Sequence, residues 1–174
     1  LEMAHRIDAI VLDKTGTITE GKPVVTDLCW KVSQAEQQHW ATLLYAIEKQ
    51  SEHPLAEAVV NVLTAPSERM ELEDFESITG KGVTARYQNR HLRVGNRALV
   101  EEAGVVISEP VQQQIERLQR SAQTVVLFAV DRQLLAVIAL ADQVKQSSAV
   151  AIAELQKRGI ALYMLTGDHQ QTAQ

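Results

Sequence analysis

The stretch IVLDKTGTITEGKP, residues 10–23, decides the fold prediction for this chain. An apolar run from Ala9 to Leu12 ends there abruptly in an aspartate, a lysine and small hydroxylated residues. Continuous branched apolar residues favour a parallel strand that is covered on both faces. The sequence therefore predicts a buried strand that carries the carboxylate of Asp13 at its carboxyl end, where ligands bind in open α/β sheets.

The composition is that of an ordinary globular chain, with 174 residues of which 45% are hydrophobic and 22% charged. A formal net charge of −5 and the lack of a long Lys/Arg cluster argue against nucleic acid or an anionic membrane as partner. The single cysteine, Cys29, allows no internal disulfide and fits a reducing compartment. No apolar segment approaches the roughly 20 residues that span a bilayer. We therefore expect a soluble chain whose partner is small or intramolecular.

A second strand is predicted near the end of the chain. Ile160 to Leu165 is apolar and stops at Thr166-Gly167-Asp168, after a helix that we expect Ser147 or Ser148 to cap and Gly159 to end. Two buried strands that end in polar clusters predict an open α/β sheet with a crevice at their carboxyl ends. The intervening residues then form an insert in that sheet.

This insert mixes two periodicities. Helical spacing predicts helices from the capping box of Ser33 and Glu36 to about Gln50, from Pro54, over 97–103 and over 110–120. Period-two patterns predict hairpins that turn at Asn89-Arg90 and at residues 131–133. The insert is thus predicted to be α+β, built on an antiparallel sheet. The predicted boundaries are 1–23 and 141–174 for the parallel sheet and 24–140 for the insert, with a two-strand hinge at Pro23 and at Leu140 to Asp142.

The residues at the first strand end have the chemistry of phosphoryl transfer. A carboxylate such as that of Asp13 can attack phosphorus and form an acyl phosphate. Lys14, Thr15 and Thr17 can hold phosphate oxygens, and Gly16 lets the backbone approach them. A single aspartate at a strand end is also common as a solvated turn, so Asp13 alone is weak evidence.

The run as a whole resembles the phosphorylation motif of the P-type cation-transporting ATPases. The resemblance continues, in the family's order, through SEHPLA (51–56), GKG (80–82), VGN (94–96) and TGD (166–168). The Ser-x-His-Pro element marks the heavy-metal-transporting branch, in which the copper pumps are the best match. The implied fold is a partial haloacid-dehalogenase-like parallel sheet, the phosphorylation domain, with an inserted α+β nucleotide-binding domain.

The resemblance implies roles at the phosphorylation end. ATP would phosphorylate Asp13, and Mg²⁺ would be held by Asp13 and by the main-chain carbonyl of Thr15. The implied catalytic set is Asp13, Lys14, Thr15, Thr17, Thr166, Gly167 and Asp168.

It also implies a nucleotide site in the insert. His53 would orient the adenine, and Glu48 would accept a hydrogen bond from the adenine amino group. Gly80, Gly82, Gly95 and Asn96 would complete the site. The plainer alternatives are a helix-capping role for His53 and for Asn96, and an ordinary turn at Gly80-Lys81-Gly82.

As a member of that family, the chain would be the cytoplasmic ATP-binding part of a pump in the inner or plasma membrane. Its cofactors would be ATP and Mg²⁺, and its partners the rest of the same polypeptide and a metal ion bound by membrane segments. The family's later lysine and Gly-Asp-Gly-x-Asn-Asp segment are not among residues 1–174. We therefore expect no transport and little phosphorylation from this chain alone.

Three other functions stay open. A zinc, cadmium or lead pump would share these motifs, because the ion-binding residues lie in membrane segments. A free-standing phosphatase of the haloacid dehalogenase type would share the sheet and the nucleophile. Such phosphatases place a second aspartate two residues after the first as general acid and base, whereas this chain has Thr15. A nucleotide-binding module without chemistry of its own is the third.

Overall fold

The computed structural model describes residues 7–67 and 70–165, which form two sheets and five helices. The elements, in chain order, are β1 (Ala9–Asp13), β2 (Thr19–Trp30), α1 (Gln34–Glu48), α2 (Pro54–Val62), β3 (Glu73–Ile78), β4 (Gly82–Tyr87), β5 (Arg90–Gly95), α3 (Arg97–Glu102), α4 (Glu109–Arg120), β6 (Thr124–Val130), β7 (Gln133–Val144), α5 (Gln146–Lys157) and β8 (Ala161–Leu165). A π-helical turn, Lys14–Ile18, connects β1 to β2. Among these described residues, no helix is both long and apolar enough to cross a membrane.

The smaller sheet pairs β1 with β8 in parallel, and Asp13 lies opposite Leu165 in the register. Parallel pairing of the two strands agrees with the sequence prediction. The prediction that these two strands are buried is wrong for the described residues, because Val11 of β1 is 64% exposed and Tyr163 of β8 is 62% exposed. The physical reason is sparse cover: α5 packs beside β8 but has no buried residue of its own.

The larger sheet has six strands among the described residues, in the order β2-β7-β6-β5-β4-β3, and every neighbouring pair is antiparallel. Helices α1 and α2 cover one face and contribute Leu44, Ile47 and Val59 to its core. Helices α3 and α4 pack on the opposite face, around Val100 and Ile115. The predicted α+β insert on an antiparallel sheet is therefore confirmed.

Alternation along β6 supplies both cores. Phe128 is fully buried under α1 and α2, whereas its neighbours Leu127 and Ala129 are buried on the α3 and α4 side. Successive side chains of a strand point to opposite faces, so a strand between two helical layers is apolar at every position. This explains the unbroken apolar sequence from Val125 to Val130 in β6.

Strand β2 begins in a segment that is typical of a turn. Residues 19–23 contain a glycine and a proline, but they lie in a strand that continues to Trp30 and pairs with β7. Pro23 is tolerated because β2 is an edge strand, where a missing backbone N–H removes no hydrogen bond from the sheet interior. Gly21, with φ of 71°, lies in the irregular stretch of the pairing between Thr19 and Pro23.

Two local predictions are also corrected. The β4–β5 turn lies at Gln88-Asn89, not at Asn89-Arg90, and both turn residues have positive φ, 48° and 65°. A two-residue hairpin turn with positive φ at both positions matches the twist of the flanking strands. Helix α5 begins at Gln146 with Lys145 as its N-cap, so neither Ser147 nor Ser148 caps it. Ser148 instead donates a hydrogen bond, 3.5 Å long, to the carbonyl of Thr17.

Candidate functional site

Asp13 is the last residue of β1 and its side chain is exposed. Its register partner Leu165 is the last described residue before Thr166. The predicted residues Thr166, Gly167 and Asp168 lie outside the described residues, and so do the side chains of Lys14 and Thr15. The structure thus brings the carboxyl ends of the two parallel strands together at Asp13.

The loop after Asp13 is fixed by hydrogen bonds to its backbone. Gly16, with φ of 77°, donates its N–H to the Thr19 hydroxyl over 3.2 Å. The Gly16 carbonyl accepts a hydrogen bond from Lys145 Nζ at 2.6 Å, and the Lys145 N–H donates to the Ile18 carbonyl at 3.0 Å. The start of α5 therefore holds the loop that follows the candidate nucleophile.

Asp142 connects this loop to the strands that lead into the insert. Its Oδ2 accepts a hydrogen bond from the Thr19 hydroxyl at 2.5 Å, and its Oδ1 accepts one from the Lys22 N–H at 3.1 Å. Thr19 is only 2% exposed, so the carboxylate satisfies a buried hydroxyl. From the sequence, Asp142 is expected only to lie at a hinge, because its partner Thr19 lies 123 residues away.

A pocket of about 480 Å³ opens in the insert beside α1, α2 and the β3–β4 turn. Its walls include all the residues predicted to bind nucleotide, which are Glu48, His53, Gly80, Gly82, Gly95 and Asn96. Apolar side chains line it further, among them Ile78, Val83, Val94 and Val126. A cavity of this size, mostly apolar with a few polar groups, is typical of small-molecule sites.

Glu48 is the only carboxylate among the described residues that line this pocket. It is the last residue of α1 and is 5% exposed. Among the described residues, its carboxyl group has no hydrogen-bond or ion-pair partner. Burial raises the pKa of this carboxyl group to about 7, because removal from water disfavours the ionised form.

His53 is the N-cap residue of α2, as its alternative reading suggested. Its Nδ1 accepts a hydrogen bond from the Leu55 N–H at 3.1 Å, and Pro54 occupies the first helical position. The neutral ring then carries its proton on Nε2. The ring is exposed and lies in the pocket wall, so capping fixes an imidazole that can contact a ligand.

Gly82 and Gly95 face each other across β4 and β5. A Cβ atom on Gly82 would overlap the Val94 carbonyl, and one on Gly95 would overlap the Lys81 carbonyl. The two glycines therefore let the strands approach closely at the pocket wall. Gly80 has open space around it and a φ of 73°, so it is needed for its backbone conformation instead.

Asn96 joins the β3–β4 turn to α3. Its Oδ1 caps α3 by accepting the Leu99 N–H at 3.1 Å, and its Nδ2 donates to the Gly80 carbonyl at 2.9 Å. Lys81, the residue between Gly80 and Gly82, also lines the pocket, and its Nζ pairs with Glu102 Oε1 at 2.7 Å. No pattern in the sequence distinguishes Lys81 from an ordinary turn lysine.

Two groups among the described residues are of the kind that Mg²⁺ sites use. Across residues 7–67 and 70–165, no group of three or more His, Cys, Asp or Glu side chains could hold a metal ion. Asp13 offers one carboxylate, and the Thr15 carbonyl offers a second hard oxygen ligand of the kind that Mg²⁺ prefers. These two ligands fit the ion in kind, and they leave most of its coordination positions to other groups.

Comparison with known proteins identifies the class. The sequence pattern of the haloacid dehalogenase-like hydrolases matches residues 7–174, and the chain belongs to this family. Within it, the chain is 40% identical over its whole length to the probable copper-transporting ATPase PacS of Synechocystis sp.. It spans 24% of that protein, about a quarter of its length.

Solved structures agree with this. A zinc-transporting PIB-type ATPase matches 97% of the chain with a TM-score of 0.66 and 30% identity, and the match covers 27% of that protein. The N-domain of HMA6, a copper-transporting P-type ATPase, matches 69% of the chain with a TM-score of 0.56 and 26% identity, and it is covered to 99%. The predicted resemblance to heavy-metal P-type ATPases and the predicted fold class are therefore confirmed.

Proposed function

We propose that this chain is the ATP-binding cytoplasmic part of a heavy-metal-exporting P-type ATPase, in which ATP phosphorylates Asp13. The observation that carries the proposal is the pocket of the insert, whose walls hold all six residues that the family motifs nominate for nucleotide binding. Those residues come from positions 48 to 96, so only folding brings them together.

Each of the two sheets has its own proposed role. Residues 24–140 bind the nucleotide, and residues 1–23 and 141–174 carry the phosphorylation site. In the proposed site, Lys14, Thr15, Thr17, Thr166, Gly167 and Asp168 surround the phosphoryl group that reaches Asp13. Support comes from the parallel register, which puts Asp13 beside the residue that precedes Thr166.

The proposed reaction is a phosphoryl transfer in two steps. The Asp13 carboxylate attacks the γ-phosphorus, an O–P bond forms, and the bond to the β–γ bridging oxygen breaks so that ADP leaves. Water then attacks the aspartyl phosphate, which releases phosphate and restores the carboxylate. Asp13 and the Thr15 carbonyl would hold Mg²⁺, which supplies neutralisation of the phosphate charge when it is bound.

Copper is the proposed transported metal, and the remainder of the pump polypeptide, with its membrane segments, is the proposed partner. The support is that PacS and HMA6 are both described as copper-transporting. A zinc pump is the second candidate, because a zinc-transporting ATPase is among the similar structures. A free-standing phosphatase is less favoured, because Thr15 stands where such enzymes have their general acid and base.

Titration calorimetry tests the nucleotide site. His53→Gln should weaken ATP binding by about 1–2 kcal/mol, the usual scale for one lost polar or stacking contact. His91→Gln is the matched control, since His91 is exposed on β5 and does not line the pocket. Equal ATP affinity for the two variants would remove His53 from the site, and no ATP binding by the unmodified chain would overturn the proposed function.

A further inference from the structure

We propose that Glu48 binds the base of a nucleotide in its protonated form, so that the pocket takes up one proton when an adenine nucleotide enters. This inference rests on the proposed function, because it takes the ligand of the pocket to be a purine nucleotide. It adds a protonation state to Glu48 and, through that state, a pH-dependent choice between adenine and guanine.

The position of Glu48 disfavours a charge. Glu48 is 5% exposed as a residue and lies at the carboxyl-terminal end of α1, and its carboxyl group has no hydrogen-bond or ion-pair partner among the described residues. An isolated buried carboxylate is costly, and the negative end of a helix dipole adds to that cost. Burial accordingly raises the pKa of Glu48 to about 7, so both protonation states are populated near neutral pH.

The charged and titratable groups nearby do not pair with Glu48. Those on the pocket wall are His53 at the start of α2 and Lys81, and Lys81 is paired with Glu102 at 2.7 Å. The elements that pack against α1 are α2, β4 and β5, and their other charged or titratable residues are Glu57, Arg86, Tyr87, Arg90, His91 and Arg93. Arg86 pairs with Glu73 and Asp74, and Arg90 pairs with Asp131. None of them forms an ion pair with Glu48.

The hydrogen-bonding edge of the base decides which protonation state of Glu48 binds it more tightly. Adenine presents an acceptor, N1, beside its amino donor, and a neutral carboxyl group offers the matching O–H donor and C=O acceptor. Guanine presents two adjacent donors, its N1–H and its amino group, which match the two acceptor oxygens of an ionised carboxylate. A protonated Glu48 therefore favours adenine, and an ionised Glu48 favours guanine.

Calorimetric titration with ATP and with GTP at pH 6 and pH 8 measures this directly. Each titration is run in two buffers of different ionisation enthalpy, so that the number of protons taken up is counted. If only the protonated form binds adenine, ATP affinity should fall about tenfold between pH 6 and pH 8, with uptake of about one proton at pH 8. GTP affinity should rise about tenfold over the same interval.

Two variants test whether Glu48 is the group that takes up the proton. Glu48→Gln keeps one donor and one acceptor, so it should bind ATP at both pH values as the unmodified chain does at pH 6, and without the extra proton. Every protein is titrated with the same nucleotide, so the titration of the γ-phosphate cancels in the comparison. His53→Gln removes the imidazole of the pocket wall and should leave the proton uptake in place.

The outcomes separate this inference from the proposed function. ATP binding with the same proton count in the unmodified chain and in Glu48→Gln would overturn the inference and leave the proposed function intact. Loss of the proton uptake in His53→Gln alone would also overturn it, by assigning the proton to the imidazole. If neither ATP nor GTP bound at pH 6 or at pH 8, both the inference and the proposed function would be overturned.

Discussion

The hydroxyl of Thr19 donates a hydrogen bond to the carboxylate of Asp142 over 2.5 Å. Thr19 begins β2, directly after the loop that follows Asp13, and Asp142 lies near the end of β7. The same hydroxyl accepts the Gly16 N–H at 3.2 Å. One buried oxygen therefore connects the loop of the candidate nucleophile to the strand pair that leads into the insert. Pro23, the predicted boundary residue, is the register partner of Asp142, so the proposed boundary crosses a hydrogen-bonded strand pair.

The first prediction concerns this connection. Asp142→Asn should lower the free energy of unfolding by about 1–2 kcal/mol. The carboxylate accepts hydrogen bonds from Thr19 and Lys22 on two separate oxygens, whereas an amide offers one oxygen and no negative charge. Urea denaturation followed by circular dichroism measures the change. Asp27→Asn is the matched control, since Asp27 is exposed on β2. Equal midpoints for the two variants would show that the Asp142 hydrogen bonds contribute nothing to stability.

The second prediction concerns the pH dependence of stability. Burial gives Glu48 a pKa of about 7 in the folded chain, against an ordinary value of 4.5. The folded state therefore binds the extra proton between these values, and its stability falls as the pH rises from about 4.5 to 7. Above pH 7 the full penalty persists, at most about 3 kcal/mol.

Glu48→Gln should remove this penalty. We expect a higher melting temperature than that of the unmodified chain at pH 8, and a smaller difference at pH 4.5. Glu52→Gln, a change at an exposed glutamate, serves as the control and should shift neither value. A Glu48→Gln protein that gains no stability at pH 8 relative to pH 4.5 would contradict the raised pKa.

The third prediction separates two reasons for glycine. Gly95→Ala should destabilise the chain by about 2–3 kcal/mol and reduce nucleotide binding, because its Cβ would overlap the Lys81 carbonyl, which belongs to the backbone. Gly80→Ala has open space, so only its positive φ is penalised, by about 1 kcal/mol. Thermal unfolding of both variants measures the difference. Equal destabilisation would mean that β4 and β5 separate easily to admit a methyl group.

The sequence predicted the large sheet well wherever one local rule determined the structure. Alternation identified the two hairpins, the Ser33–Glu36 capping box marked the start of α1, and Pro54 marked the start of α2. The family motifs nominated all six residues that the pocket brings together. Their roles in nucleotide binding stay predictions until binding is measured.

What the sequence missed depends on distant partners. Residues 19–23 look like a turn, and only pairing with β7 makes them part of a strand. Strand β3, Glu73–Ile78, has few apolar residues because it is the other edge of the sheet. The exposure of Val11 was missed because apolar sequence shows that a strand can be buried and does not show what covers it.

The fourth prediction concerns the autonomy of the insert. Both hydrophobic cores and every residue of the candidate pocket lie within residues 24–140. A chain of these residues should therefore fold and bind ATP with an affinity close to that of residues 1–174, although it loses the pairing of Thr19 to Pro23. Circular dichroism and calorimetry test this. An unfolded product, next to a folded full chain, would move the proposed boundary toward Thr19.

The last prediction concerns Asp13 itself. Incubated with labelled ATP and Mg²⁺, residues 1–174 should acquire little stable phosphate. A carboxylate that approaches a triphosphate needs its charge neutralised, and each missing donor or cation typically costs a few kcal/mol of transition-state stabilisation. Among the described residues, Asp13 and the Thr15 carbonyl are the two groups proposed to hold Mg²⁺, fewer than its octahedral coordination needs. Acid-stable labelling that Asp13→Asn abolishes would show that this chain completes the site alone, and it would favour a free-standing enzyme over a part of a pump.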